Sequence, residues 1–416
     1  MQPFSYKNSK LHCEAVAVSA LARKIGTPFY LYSQTALDHQ FRSFDAAFAT
    51  VRHLTCYAVK ANSNLAILSL FGRLGAGFDV VSKGELMRVL AAGMKAGKVI
   101  FSGVGKTEDE IDFGLQRGIL QFNVESAAEL AMVEARAQAL GKAARIALRV
   151  NPDVESGTHP YISTGTYHHK FGVPVSDAIE MYVRARRSRH LRITGIACHI
   201  GSQITSVKPF ENALLRMKEV FLALRAHGIE VRHLDLGGGL GIVYSDEKPP
   251  GADEYARAMI AAVGDLDCTL ILEPGRAIVG NAGILVTRVV LTKQTGGKNF
   301  IVVDAGMNDL MRPSLYGSYH GIQAVARSNR GTCRADVVGP ICESGDFFAR
   351  DREVPVVKAN DLLAIMSAGA YGFALASNYN TRPRPAEVMV CARKARIIRK
   401  REQFRDLIRG ESCNPF

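Results

Sequence analysis

The sequence predicts an α/β protein, a (β/α)8 barrel followed by a mostly antiparallel β domain. Three observations carry that prediction. Short apolar or β-branched runs alternate with longer amphipathic stretches from about residue 35 to about residue 280. After Arg276 the alternation stops, and apolar runs follow one another across Gly, Pro and charged turns. The 416 residues exceed one comfortable core, whereas a large barrel alone occupies roughly 250 residues.

Eight runs read as strands: LTCYAVK (54–60), GFDVV (77–81), KVIFSG (98–103), LQFNV (120–124), RIALRVN (145–151), ITGIACHI (193–200), VRHLDLG (231–237) and CTLILEP (268–274). Helix-like segments separate them. Ser82, Thr107 and Ser126 supply start signals, and Gly93, Gly118, Gly141 and Gly228 supply stops. Helical crossovers join parallel strands, so the alternation favours a barrel over the runner-up, an open doubly wound sheet. Beyond residue 280, GILVTRVVLTKQ, NFIVVDAG, CRADVVG, REVPVV, DLLAIM and AEVMVCARKARIIRKRE read as antiparallel strands. The strand-like PFYLYS (28–33) fits either domain.

Composition narrows the function classes. With 47% hydrophobic and 22% charged residues and no long biased tract, the chain reads as a globular protein rather than a disordered one. The eight cysteines form no CxxC pair, which points away from a zinc ribbon or a disulfide framework and toward reduced thiols in the cytoplasm. No apolar run is long enough to span a bilayer, and the first thirty residues lack a signal-peptide core. The net charge of +13 lies partly in the tail ARKARIIRKREQFRDLIRGE, where apolar residues interleave with the bases. No nucleic-acid-binding motif accompanies it, so neither nucleic acid nor membrane is expected as a partner.

Barrel active sites form at the C-terminal ends of the strands. There lie Lys60, Asp79, Asn123, Asn151, His199, Gly237 to Gly239 and Glu273, on seven of the eight runs. Lys60 reads either as a surface lysine at a strand end or as a catalytic amine, partly desolvated and nucleophilic. The triplet Gly237-Gly238-Gly239 is either a flexible turn or a backbone approach to a phosphate. Its GxGxG spacing matches a dinucleotide fingerprint only loosely, since that motif belongs after a first strand. His199 is either a hydrogen-bonded core residue or a ring for stacking, and Ser202 is a candidate phosphate donor. Glu273 either pairs with nearby Arg276 or awaits another cation, because a buried carboxylate is costly alone. An aldehyde for Lys60, a ring for His199, a basic nitrogen for Glu273 and a phosphate for the glycines together describe pyridoxal 5'-phosphate.

The motifs YAVKAN (57–62), FDVVSKGEL (78–86), HIGSQ (199–203), GGG (237–239), EPGR (273–276), RPSLYGSYH (312–320), GPICESGD (339–346) and AGAYG (368–372) resemble those of the fold-type III pyridoxal-phosphate decarboxylases. The resemblance runs from near the N-terminus to about residue 400. It implies a barrel over 35–280 and a β domain built from 1–34 and 281–416. It makes Lys60 the lysine bonded to the cofactor, His199 its stacking ring and Glu273 the partner of the ring nitrogen. Ser202, Gly237, Gly238, Gly239, Gly275 and Arg276 match the phosphate cradle, with Asp79 and Tyr371 close to the cofactor. Cys342 matches a proton donor delivered by the second subunit of a head-to-tail homodimer. Glu343 would hold a distal ammonium of the substrate; Arg276, Arg312, Tyr316 and Tyr371 would meet its distal end, the arginines taking a carboxylate.

The branch most resembled acts on meso-2,6-diaminopimelate and forms L-lysine and carbon dioxide, the last step of lysine biosynthesis. Alternatives of the same fold are an ornithine, arginine or carboxynorspermidine decarboxylase, or a non-catalytic cofactor-binding homologue. Glu343 where ornithine enzymes carry Asp, and the presence of Arg312, favour the first. Alanine racemases set Arg against the ring nitrogen, and Glu273 argues against that assignment. The stretch 156–173, with His159, His168 and His169, reads as a polar loop near the site rather than a metal site.

Overall fold

The structure is a computed structural model that describes residues 2–154 and 170–413. The histidines of the 156–173 stretch, His159, His168 and His169, lie outside the described residues. The chain divides into two compact units, Gln40–Ile242 with Glu247–Ile278, and Met1–His39 with Val243–Asp246 and Val279–Phe416.

The first unit is a closed barrel. Its strands are His53–Ala58, Gly77–Val80, Val99–Phe101, Gln121–Val124, Ala144–Asn151, Leu191–Ala197, His233–Asp235 and Thr269–Leu272. Neighbours in chain order pair in parallel, and the last strand returns to the first with Leu270 opposite His53. Each predicted run holds one strand, but six of the eight strands stop short of the predicted ends. Lys60 is therefore not the last residue of a strand: the ladder ends at Ala58, and Val59–Ala61 form a 3-10 turn. His199 and Glu273 likewise follow their strands by two residues and one. Leaving the ladder lets the backbone turn, which carries these side chains from the barrel wall to its rim.

The helices start where short polar side chains replace missing intrahelical partners. Ser82, Thr107 and Ser126 each accept from the backbone N–H three residues on, and Thr107 completes a capping box with Glu110. Such a cap contributes about 1 kcal/mol. A buried ion pair ties the third and fourth strands to the sixth helix of the chain, Ala127–Ala139. Lys106 donates to Glu129 at 2.6 Å and to the carbonyls of Gly103 and Asn123 at 2.7 and 2.8 Å. All three ammonium protons are used, and removing one charged partner from such a pair costs about 3–5 kcal/mol.

The second unit centres on Gly283–Thr295, which pairs antiparallel with Lys298–Val303, Leu362–Ile365 and Phe29–Ser33. Two pairings are parallel, Phe29–Ser33 with Ala386–Cys391 and Lys298–Val303 with Thr332–Val338, so the sheet is mostly antiparallel, as expected, with two parallel seams. The PFYLYS segment thus belongs to this sheet, with Phe29, Leu31, Ile284, Val286, Val388 and Val390 in one core. The basic tail forms the strand Lys394–Arg399 and the short helix Phe404–Leu407. Among the described residues, no helix is long and apolar enough to cross a membrane.

Candidate active site

Five barrel strands bring their chemistry to one rim. Lys60 leaves the first strand on the 3-10 turn, and its Nζ donates to Asp79 Oδ2 of the second strand at 2.5 Å. The turn is fixed at both ends. Tyr57 Oη donates to the carbonyl of Asn62 at 3.0 Å, and Asn64 caps the following helix by accepting from the Ala66 N–H at 3.0 Å. A lysine beside an apolar strand is thereby accounted for: the strand is over before it, and a fully buried carboxylate receives its charge.

His199 accepts from the Gly238 N–H through Nδ1 at 3.1 Å, so a neutral ring carries its proton on Nε2. Burial, and then the charges of Arg149 and Lys60, hold the imidazole well below its usual pKa, which keeps it neutral. The glycine turn is shaped by close packing. A Cβ on Gly238 would lie 2.3 Å from the carbonyl oxygen of Glu273, and one on Gly237 would lie 2.7 Å from His199 Nδ1. Two of the three backbone N–H groups turn inward, that of Gly237 to Asp235 at 3.0 Å and that of Gly238 to His199. Two of the triplet's three N–H groups thus support the turn itself. Ser202 Oγ accepts from Arg276 Nη2 at 2.9 Å, leaving its own hydrogen to donate. Gly275 packs against the lysine turn, where a Cβ would stand 3.0 Å from that of Ala61.

Glu273 is 7% exposed, and its Oε1 is a buried oxygen with no hydrogen-bond partner among the described residues. Burial first, and then the neighbouring Asp235 and Asp79, raise its pKa well above the usual carboxylate range, with Lys60 opposing them. Sequence reasoning missed the group that sets this state. Asp235 is fully buried and receives Asn123 Nδ2 at 2.8 Å; Asn123 in turn receives Gln121 Nε2 at 2.9 Å. Gln121 Oε1 takes Thr194 Oγ1 at 3.2 Å and lies 2.9 Å from His233 Nδ1. The signal was present: Gln121 with Asn123, and His233 with Asp235, are two residues apart, so each pair shares one face of its strand.

The remaining expected residues lie in the second unit. Arg312 opens the short helix Arg312–Tyr316, is 4% exposed and donates to Ser318 Oγ at 3.2 Å; Tyr316 is half-buried at the helix end. Cys342 is exposed on a turn whose Asp346 accepts from the N–H groups of Met307 and Ile341 at 2.6 and 2.7 Å. The Cys342 N–H donates to Asn380 Oδ1 at 2.8 Å, and Glu343 Oε2 accepts from Tyr379 Oη at 3.4 Å. Ser314 Oγ donates to the Gly345 carbonyl at 2.5 Å, which joins the Arg312 helix to the Cys342 turn. Tyr371 adopts a left-handed backbone with φ of 55°. The structure thus groups Lys60, Asp79, His199, Ser202, Gly237 to Gly239, Glu273, Gly275 and Arg276 in the barrel unit. Arg312, Tyr316, Cys342, Glu343 and Tyr371 belong to the β unit.

The donor set fits pyridoxal phosphate on structural grounds, since a protonated pyridine nitrogen would answer the orphaned Glu273 oxygen. The comparisons with known proteins agree. Residues 34–280 match the pyridoxal binding domain of the pyridoxal-dependent decarboxylases. A diaminopimelate decarboxylase of Pseudomonas aeruginosa is 51% identical, over the whole of both chains. A crystal structure of the M. jannaschii diaminopimelate decarboxylase in complex with L-lysine superposes with a TM-score of 0.94 at 37% identity, covering 99% of this chain and 98% of that one. The Helicobacter pylori enzyme, also with L-lysine, gives 0.91 at 44% identity, covering 94% and 98%. The chain belongs to the pyridoxal-dependent decarboxylase family, within its diaminopimelate decarboxylases.

Proposed function

We propose that the chain decarboxylates meso-2,6-diaminopimelate to L-lysine and carbon dioxide, acting as a homodimer whose two active sites share residues. The observation that carries the reading is the barrel rim itself, where a lysine held by Asp79 and a Glu273 carboxyl with one unpartnered buried oxygen stand in one cluster of titratable groups. Pyridoxal 5'-phosphate, when bound, supplies an aldehyde for the substrate amine and a cationic ring that takes up the electrons left by the departing carboxylate.

The residues that would hold it are Lys60 at the aldehyde, His199 against the ring face, Glu273 at the ring nitrogen, and Ser202, Gly237, Gly238, Gly239, Gly275 and Arg276 around the phosphate. Asp79 and Tyr371 stand close to it. Asp79 holds the Lys60 ammonium whenever that amine is free of the cofactor. The neutral His199 ring covers a face without adding a positive charge that would compete for Glu273. Burial, with Asp235 and Asp79 beside it, raises the Glu273 pKa well above the usual carboxylate range, which favours a proton on this carboxyl where the ring nitrogen would need one. Arg276, Arg312 and Tyr316 orient the distal carboxylate, Glu343 meets the distal ammonium, and Tyr371 borders the substrate. Cys342, from the second subunit, gives its thiol proton to the α-carbon after carbon dioxide leaves, and the thiolate regains a proton from solvent, which balances the reaction. The eight cysteines are free thiols, in keeping with a reducing cytoplasm.

The test is incubation of the purified protein and cofactor with meso-diaminopimelate, ornithine, arginine and carboxynorspermidine, with carbon dioxide and amine product measured. Lysine from diaminopimelate alone is expected. Carbon dioxide from ornithine and none from diaminopimelate would overturn the assignment.

A further inference from the structure

Arg312 has a neighbour to which the mechanism gives no task. His320 is fully buried, eight residues along the chain, and its Nε2 lies 3.0 Å from Arg312 Nη1. Its other nitrogen, Nδ1, lies 2.8 Å from the carbonyl oxygen of Met366. A carbonyl can only accept, so Nδ1 carries the hydrogen and Nε2 offers a lone pair to the guanidinium. One neutral tautomer satisfies both bonds at once. The backbone holds the ring from the other side, since the His320 carbonyl accepts from Arg352 Nη2 at 2.7 Å. Tyr244 completes the arrangement. Its ring meets His320 edge-on at 5.2 Å, and the Arg312 guanidinium lies 4.6 Å from its centroid.

We propose that His320 is a positioning residue for substrate selection, which fixes the plane of the Arg312 guanidinium without neutralising it. The proposal rests on the reading of Arg312 as a carboxylate-binding residue. A long arginine side chain must be ordered before its planar fork can meet a carboxylate in register. An aspartate or glutamate at position 320 would order it equally well, but would offset its charge and compete with the substrate. An imidazole acceptor supplies direction alone. Ser318 Oγ, also neutral, takes the second terminal nitrogen at 3.2 Å, and Tyr244 presents a face rather than a charge. None of these three contacts offsets the guanidinium charge. The device selects for amino acids that end in a carboxylate over plain diamines.

The experiment uses the full-length holoenzyme with His320→Leu, His320→Gln and His320→Glu, and Arg312→Ala in parallel. His320→Leu removes the acceptor and is expected to raise KM for meso-diaminopimelate about 10- to 100-fold while kcat changes less than about threefold, the pattern of lost binding rather than lost chemistry. His320→Gln, which can accept from Arg312 and donate to Met366, restores most of the affinity. His320→Glu keeps an acceptor yet raises KM, because it neutralises the cation. L-lysine retains the distal carboxylate and is expected to inhibit His320→Leu more weakly than wild type, whereas cadaverine, which lacks it, inhibits both equally. If Arg312→Ala raises KM and both His320→Leu and His320→Glu leave it unchanged, the positioning role is overturned and the Arg312 assignment survives. If Arg312→Ala leaves KM unchanged, the underlying reading fails instead and takes this proposal with it. Equal weakening of lysine and cadaverine would also overturn it, since a merely structural defect does not distinguish them.

Discussion

Asn123 donates its side-chain N–H to Asp235 at 2.8 Å inside the barrel, and the direction of that bond decides where the charge sits. With the Gly237 N–H on its other oxygen, Asp235 has a donor on each, the pattern of a carboxylate rather than an acid. Its charge then makes Glu273 the member of the pair that keeps the proton. Burial raises both groups, Asp235 to about 6 and Glu273 well above its ordinary value.

A pH dependence follows, with its sign set by those shifts. Both acids hold protons more tightly in the folded chain than in the unfolded one. The folded state therefore binds more protons above pH 4, and stability of the cofactor-free protein falls as pH rises through the window from about 4 to 6 and beyond. Glu273→Gln removes its share of that cost. Thermal melts of the two cofactor-free proteins from pH 4 to 8 are expected to show the variant gaining on wild type as pH rises. A constant difference between the curves would mean that Glu273 is already ionised in the empty site.

Borohydride treatment of the holoenzyme, followed by peptide mapping, is expected to place the pyridoxyl group on Lys60. Lys60→Ala should carry no such label and lose turnover by a factor on the order of a thousand or more, as for a covalent catalytic group. A label on Lys106 would contradict the assignment, although that residue is already committed to Glu129.

The glycine turn offers a steric test. Alanine at 238 would place its Cβ 2.3 Å from a backbone oxygen, so either Glu273 or the turn must move. Gly238→Ala is expected to weaken cofactor binding at least about tenfold in a fluorescence titration, since both Glu273 and His199 lean on this turn. Gly251→Ala, at a position with nothing within 4 Å of a new Cβ, serves as the control. Equal affinities for the two variants would show that the turn tolerates the shift.

The barrel was legible because each strand pairs with its chain neighbours, and the period of the apolar runs records that directly. Lys60, His199 and Glu273 were legible because strand ends are where a barrel displays polar residues. Their escape from the ladder was not, since Ala58 and Lys60 differ by a turn that apolar patterning does not encode. The inward-facing Gln121 and Asp235 were overlooked for another reason. A polar residue in a buried strand reads as an exception until its partner, here up to 112 residues away, is placed beside it. His320 was hidden in the same way, its value resting on a carbonyl at Met366 that no motif contains.

The proposed sharing of sites between the two chains of a homodimer is open to a complementation test. Lys60→Ala lacks the cofactor amine and Cys342→Ala lacks the proton donor, so each homodimer is expected to be nearly inactive. In a mixed dimer with shared sites, one site inherits both defects and the other neither. Co-expression with different affinity tags, at equal levels, should give half mixed dimers and thus about a quarter of wild-type activity. The doubly tagged fraction, purified alone, should reach about half. The exposed Cys342 makes this outcome physically reasonable, because a thiol that serves a second chain must stand at the surface of its own. If the doubly tagged dimer is as inactive as its parents, each chain completes its own site and Cys342 acts in cis.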